Sequence, residues 1–257
     1  MADSGLEEAI RVAGGITELA RRIGISQPSV SNWDRVPAGR ILSVEAATGV
    51  PRAILRPDLY RERLGQRDEI EAARAQEYAL LAVLLARAPD AALLERIAGL
   101  RGDATPLGMA HAALAQAAGE ASADRIKFEF FDLFIGVGRG ELLPYGSYYL
   151  TGFLNERPLA RLRADLRSLG IERVEEQHEP EDHAAILCEI MARLIGGQFS
   201  ATAEQQKHVF EKHLAPWIGR FFADLGAAEG GADFYRHVGS VGHLFIEIET
   251  EAFALAS

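Results

Sequence analysis

Apolar residues recur at intervals of three and four along almost the whole chain, which restricts it to helices packed on helices. Leu159, Leu162, Leu166 and Leu169 are the clearest case, closed by Gly170, a residue that can enter the left-handed turn ending a helix. Leu80, Leu81, Leu84 and Leu85 give a second stripe, and Leu93, Leu94, Ile97 and Leu100 a third. Phe128, Phe131, Leu133, Phe134 and Ile135 read as an aromatic stripe. Ile186, Leu187, Ile190, Met191 and Leu194 form another, as do Phe210, Leu214, Trp217, Phe221 and Leu225. The period of two that a half-buried strand needs is absent, apart from a weak candidate at Ile171 to Val174. No segment repeats. The expected fold class is all-α.

The helices fall into two populations. Ser4 and Glu7 make a capping box, Leu6, Ile10 and Ala13 an apolar stripe, and Gly14-Gly15 a stop. Ile16, Leu19, Ala20 and Ile23 repeat before Gly24, and Ser26 can cap a short helix with Val30 and Trp33 inward. Further short helices are expected from Arg40 to Ala47 and after Pro51. This sets a small helical domain at 1–60, a charged helical connector at 61–75, and a larger helical domain at 76–257.

Charge divides the chain at nearly the same place. Residues 1–67 hold ten arginines against eight acidic residues, a net +2, whereas residues 68–257 hold 17 basic against 29 acidic, a net −12. All seven histidines lie in the second part. No apolar run reaches the ~20 residues a membrane span needs, and no basic stretch followed by an apolar one opens the chain. Arg21-Arg22 has no apolar segment after it, so it is not an export signal. A single cysteine, Cys188, excludes an internal disulfide. The expected location is the cytoplasm, with no membrane insertion.

From Thr17 to Asp34 the layout is that of a helix-turn-helix, with small Ala20 where two helices cross and Gly24 at the bend. The second helix presents Gln27, Ser29, Ser31 and Asn32, short polar side chains able to reach base edges in a major groove. Thr17, Arg21, Arg22 and Arg35 flank it, the arginines placed to meet phosphates. The run Gly15-Ile16-Thr17-Glu18-Leu19-Ala20-Arg21 and the run Ile25 to Trp33 resemble Cro-like repressors of the YdaS type. Val36-Pro37-Ala38, Glu45 to Gly49 and Leu55 to Tyr60 keep the same order. The resemblance covers residues 4–60 and implies binding of double-stranded DNA, with a homodimer favoured by operator symmetry. Seven basic and seven acidic residues in 1–60 make a weak field for that task, and Asp34 beside the reading helix opposes it.

The second domain offers no defensible catalytic constellation. Cys188 lies inside an apolar stripe, where a thiol is inert. Gly136, Gly138 and Gly140 lack the Lys-Ser/Thr of a phosphate loop. His243 with Glu247, and His178 with Asp182, have the spacing of one helical turn but not the paired histidines of a zinc enzyme. No catalytic residue, metal or cofactor is expected.

What stands out instead is a set of unusual loops. Leu133-Phe134-Ile135-Gly136 leads into Pro144-Tyr145-Gly146-Ser147-Tyr148-Tyr149. Glu179-Pro180-Glu181-Asp182-His183 precedes an apolar helix, and His213-Leu214-Ala215-Pro216-Trp217 follows later. In that order these blocks resemble the TorD/DmsD family of redox-enzyme maturation chaperones, from Gln76 onward. The resemblance implies a non-enzymatic protein that holds the twin-arginine leader, or another part, of an immature molybdenum-cofactor oxidoreductase of the dimethyl-sulfoxide reductase or formate dehydrogenase kind. It carries a hinge beside the peptide groove onto Glu179, Pro180, Asp182 and His183, and the aromatic-Gly-Ser block onto Tyr145, Gly146 and Ser147. Tyr145 stands where a tryptophan is often found.

Physical chemistry fits those residues to a basic, apolar peptide. Glu179 and Asp182 can accept charge-assisted bonds from guanidinium groups, and Tyr145, Tyr148 and Phe134 offer aromatic faces. Asp182 has a second reading as the cap of the helix that follows it. The whole is expected to bind a molybdoenzyme catalytic subunit or its leader, with DNA as a second partner. The competing reading is a transcription regulator whose larger domain is a ligand or protein sensor.

Overall fold

Residues 4–173, 179–229 and 233–255 are described by the structure, a computed structural model. They form an all-helical protein, with no strand among the described residues. The chain divides into two compact units, Met1–Glu71 and Ala72–Ser257, each with its own buried cluster.

The first unit contains α1 (Ser4–Ala13), α2 (Ile16–Arg22), α3 (Gln27–Ser31), a short turn of 3-10 helix (Ala38–Arg40), α4 (Ile41–Thr48), α5 (Arg52–Leu55) and the start of α6 (Pro57–Ala86). Its core is built from Leu6, Ala9, Leu19, Ala20, Val30, Ile41, Val44 and Leu55, with Trp33 half-buried against it. Gly24 adopts φ +71° between α2 and α3, and the Ile25 amide closes the turn onto the Ala20 carbonyl at 3.0 Å. Ser26 precedes α3 without capping it: its hydroxyl pairs with the Ser29 hydroxyl at 2.7 Å. The Ser4 half of the capping box lies outside the described side chains. The connector expected at 61–75 lies within α6, whose side chains at 61–67 are likewise outside the description.

The second unit continues from α6 through α7 (Ala91–Ala98), α8 (Pro106–Glu120) and α9 (Ala123–Phe130), which runs into a π-helical turn (Phe131–Ile135). Then come α10 (Gly146–Thr151), α11 (Arg157–Ser168), α12 (Ala184–Ile195) and α13 (Ala203–Val209), itself continued by a π-helical turn (Phe210–Leu214). α14 (Ile218–Gly226) and α15 (Asp233–Leu255) complete it. α15 packs on α14 and α8, and α7 packs on α8. The crossing of α14 and α15 is close because Gly239 sits there. A Cβ on it would fall 2.3 Å from the Gly226 amide nitrogen.

Trp217, Tyr78, Tyr235, Phe210, Phe221 and Phe222 are the largest wholly buried side chains. At about 1.5–3 kcal/mol for a large apolar side chain, they dominate the driving force of this unit. α6 is tied to α15 by Arg74, which donates to both oxygens of the buried Glu249 at 2.6 and 2.8 Å. No helix among the described residues is long and apolar enough to cross a membrane.

Two local expectations change. The aromatic stripe is not one face: Phe128 is 71 % exposed and Phe131 and Ile135 are exposed too, while Ile126 and Leu133 are buried. The π-helical turn admits an extra residue and rotates the face, so Phe130 and Phe134 turn inward, with ring centroids 5.0 Å apart, against Tyr235. Ile171 to Arg173 form no strand, and Val174 and His178 lie outside the described residues.

Candidate functional site

Two loops distant in sequence meet at the N-termini of α10 and α12. Each helix needs partners for its first amides, and each loop supplies them to the other. The Gly146 amide donates to the Asp182 carbonyl at 2.9 Å, and the Ala184 amide to the Pro144 carbonyl at 2.8 Å. This brings Tyr145 and His183 side by side as an isolated antiparallel bridge, their rings edge to face at 5.0 Å.

Asp182 does not cap the helix after it. Its Oδ2 accepts from the Ser147 amide at 2.7 Å, so it caps α10 from across the gap. The cap of α12 is His183, whose Nδ1 accepts from the Ala185 amide at 3.1 Å. Accepting at Nδ1 leaves the ring proton on Nε2. Burial pushes the His183 imidazole down to about 4, against the opposing pull of Glu179 and Asp182, so the ring is neutral at pH 7.

The third block lies beneath the first. A Cβ on Gly146 would come 2.9 Å from Trp217 Nε1, so the start of α10 rests on the indole. Trp217 is held in turn by its own N–H, which donates to the His213 carbonyl at 2.7 Å. Tyr149 packs beside it at 5.6 Å and donates its hydroxyl to Asp224 at 2.8 Å.

Above these contacts opens a groove of about 380 Å³ lined by Phe134, Tyr145, Glu179 and His183, with Phe130 and Pro144. The Tyr145 hydroxyl donates to Glu179 at 2.6 Å, and its ionisation is pushed up by burial and then by that carboxylate. Four of the nine expected client residues therefore line one groove. Gly146, Ser147 and Asp182 lie behind its wall, Ser147 wholly buried and Asp182 3 % exposed, with Pro180 half-buried in the same loop. Among the described residues neither Ser147 Oγ nor Asp182 Oδ1 has a hydrogen-bond partner. Tyr148 is turned toward Arg139, which donates to its hydroxyl at 2.9 Å.

Several contributors carried no sequence signal. Arg139 lies in the glycine loop, and Arg163 of α11 pairs with Glu181 at 2.8 Å, bracing the second loop. Pro144, by contrast, was part of the first block, and Leu85 belonged to a recognised stripe. Cys188 is buried, and burial pushes its thiol up to about 12. His243 lies one turn from Glu247 on an exposed face, at 3.4 Å.

In the first unit Thr17, Arg21, Gln27, Ser29, Ser31, Asn32 and Arg35 are all exposed. Several engage one another rather than standing free. Gln27 donates to the Ser31 hydroxyl at 2.7 Å. Arg21 pairs with Glu18 through two bonds, and Arg22 reaches the same carboxylate at 3.2 Å. These bonds, from Arg21 first and then Arg22, pull the Glu18 carboxyl down to about 2. Arg35 approaches Asp58 at 3.5 Å.

The fold thus defines an all-helical protein of two units, one of short helices and the other with a loop-built groove. Comparison with known proteins separates them in the same way. Residues 100–223 match the family described as nitrate reductase delta subunit, and residues 6–64 match the family described as bacterial toxin YdaS. The chain is similar to proteins named chaperone protein TorD. The one from Vibrio cholerae El Tor is 32 % identical over 102 residues, 36 % of this chain and 46 % of its own length. The one from Vibrio vulnificus YJ016 is 36 % identical over 88 residues, 34 % of this chain and 40 % of its own. The one from Vibrio atlanticus is 27 % identical over 136 residues, 49 % and 63 % respectively. The chain spans about half the length of the curated relatives it matches. The resemblance to TorD chaperones and to YdaS-type modules therefore stands.

Proposed function

We propose that this protein is a cytoplasmic chaperone that holds a segment of an immature molybdenum-cofactor oxidoreductase until the cofactor is inserted. The observation that carries the reading is the convergence of Phe134, Tyr145, Glu179 and His183, from two sequence blocks, on one groove. The chain is similar to TorD chaperones. Tyr145 and Phe134 offer apolar faces, and Glu179 offers a carboxylate to a guanidinium such as those of a twin-arginine leader. The −12 net charge of residues 68–257 steers a basic peptide toward it.

No bond is made or broken in this function. Asp182, Ser147, Gly146 and Pro180 act as positioning residues that hold the two loops together, and the groove residues make the contact. The test is a tagged pull-down from the native host grown anaerobically, with the retained proteins identified by mass spectrometry. Enrichment of a molybdoenzyme catalytic subunit is the expected result. Recovery of transcription proteins and DNA alone would replace this reading by that of a sensor-regulator.

A second activity is proposed for the first unit, sequence-specific binding of double-stranded DNA by a dimer. It rests on the exposure of Gln27, Ser29, Ser31 and Asn32 along α3 and its flank. A gel-shift with the DNA upstream of the protein's own gene tests it.

A further inference from the structure

One carboxylate outside the two loops gathers three donors. Asp165, half-buried on α11, accepts at a single oxygen, Oδ2, from Lys212 Nζ at 2.8 Å, His213 Nε2 at 2.8 Å and His208 Nε2 at 3.3 Å. Burial pushes its carboxyl up, but the bonds from Lys212 and His213 outweigh that and hold it down at about 2, so it is charged at neutral pH. A carboxylate only accepts, so both rings carry a proton on Nε2.

The three donors belong to one stretch, α13 and the π-helical turn that continues it. In an α-helix residues five apart point about 140° away from each other, so His208 and His213 would diverge. The turn closes instead through the Ala215 amide onto the Phe210 carbonyl, five residues back, at 2.9 Å. The added residue brings both rings to one side, with centroids 6.5 Å apart. A π-helical turn is a rare insertion in a helix. Asp165 grips this one from both ends, through His208 before it and through Lys212 and His213 within it.

The same turn carries the floor of the candidate site. The His213 carbonyl accepts from Trp217 Nε1, and Gly146 rests on that indole at the start of α10. Gly146 in turn donates to the Asp182 carbonyl of the second loop. Asp165 thus connects to both loops through His213, Trp217 and Gly146, each step a hydrogen bond or a direct packing contact. Neither Asp165 nor any of its three donors lines the groove.

We infer that Asp165 is a positioning residue for the client groove: it fixes the π-helical turn whose His213 carbonyl holds Trp217 under Gly146, and so sets where the Tyr145 wall stands. This rests on the chaperone reading above and extends it to a residue that touches no client.

The experiment uses the full chain with Trp33→Phe, which leaves Trp217 as the sole tryptophan. Trp217 emission reports on the turn. Anisotropy of a fluorescein-labelled peptide, two arginines followed by a leucine- and alanine-rich run, reports on the groove. Asp165→Ala in this background should shift the emission to the red and weaken peptide binding about tenfold, at a temperature where its helical circular dichroism is intact. Asp165→Asn keeps an acceptor oxygen and should restore both, which a general loss of stability does not explain.

Should Asp165→Ala lose its helical circular dichroism, Lys212→Met at an exposed position takes its place, with smaller shifts in the same directions. Unchanged emission and affinity would overturn the inference and leave Asp165 in an ordinary surface ion cluster. A red shift with unchanged affinity would overturn it too, since Trp217 would then move without moving the groove. Weaker binding without a red shift would show that Asp165 does not act through Trp217. A parent chain that binds no peptide would overturn the chaperone reading, and the role of Asp165 with it.

Discussion

The Asp182 carboxylate and the Ser147 amide, 35 positions apart in the chain, share a buried hydrogen bond of 2.7 Å that joins the two loops of the candidate site. Removing the acceptor strands a buried N–H, at a cost of about 1–3 kcal/mol. Asp182→Ala should therefore lower the unfolding free energy from urea titrations by that amount and weaken client-peptide binding through the displaced loop. Asp182→Asn keeps an acceptor oxygen and should recover most of both. Equal stabilities for parent and Asp182→Ala in urea titrations would show that the bond does not hold the loops.

Gly146 is held to glycine by space rather than by backbone angle, since Trp217 lies where a Cβ would go. Gly146→Ala overpacks a site whose indole is itself pinned to the His213 carbonyl, so the neighbour cannot retreat cheaply. The expected loss is about 1–3 kcal/mol. Near-ultraviolet circular dichroism and tryptophan emission should shift with it, because the disturbed ring is the reporter. An unchanged spectrum and melting curve would mean that α10 lifts away freely.

Stability should depend on pH through His183. Its folded pKa of about 4 lies below the ordinary histidine value of 6.5. Between those values the unfolded chain binds a proton that the folded chain refuses, so stability falls as pH drops from about 6.5 toward 4, by up to about 3 kcal/mol. His213, also lowered by burial, adds to this fall, whereas His111, raised by its bond to Glu77, opposes it. His183→Asn keeps an acceptor at the start of α12 and isolates the contribution of one ring. The parent should lose stability relative to this variant across that window and nowhere above it. Parallel curves for the two proteins would remove His183 as the source.

The helical stripes made the fold class legible because a period of three or four survives any arrangement of the helices. Leu159, Leu162 and Leu166 are buried as their spacing requires. The Phe128 stripe failed because a π-helical turn changes the period within one helix, and the residues themselves gave no sign of it. The two loops of the site were visible as separate blocks with unusual composition. Their exchange of caps was not: sequence assigns Asp182 to the helix it precedes, and only the folded chain brings it to Ser147. The Arg74–Glu249 pair, 175 positions apart, was invisible for the same reason.

The proposed DNA binding of the first unit can be tested at Glu18. This residue takes bonds from both Arg21 and Arg22. Exposed ion pairs are weak, so a phosphate can displace the carboxylate, but the carboxylate's own charge remains beside it. Glu18→Gln removes that charge and loosens Arg21, while Arg22 keeps its bond to the Ala47 carbonyl at 3.3 Å, so DNA affinity should rise. Each arginine newly on a phosphate should steepen the slope of log affinity against log salt by about one. Asn32→Ala should lower affinity for the preferred sequence while leaving affinity for random DNA unchanged, because base contacts specify and phosphate contacts do not. Gel-shifts at three salt concentrations separate the two effects. A Glu18→Gln protein with unchanged affinity and slope would place Arg21 and Arg22 away from any DNA surface.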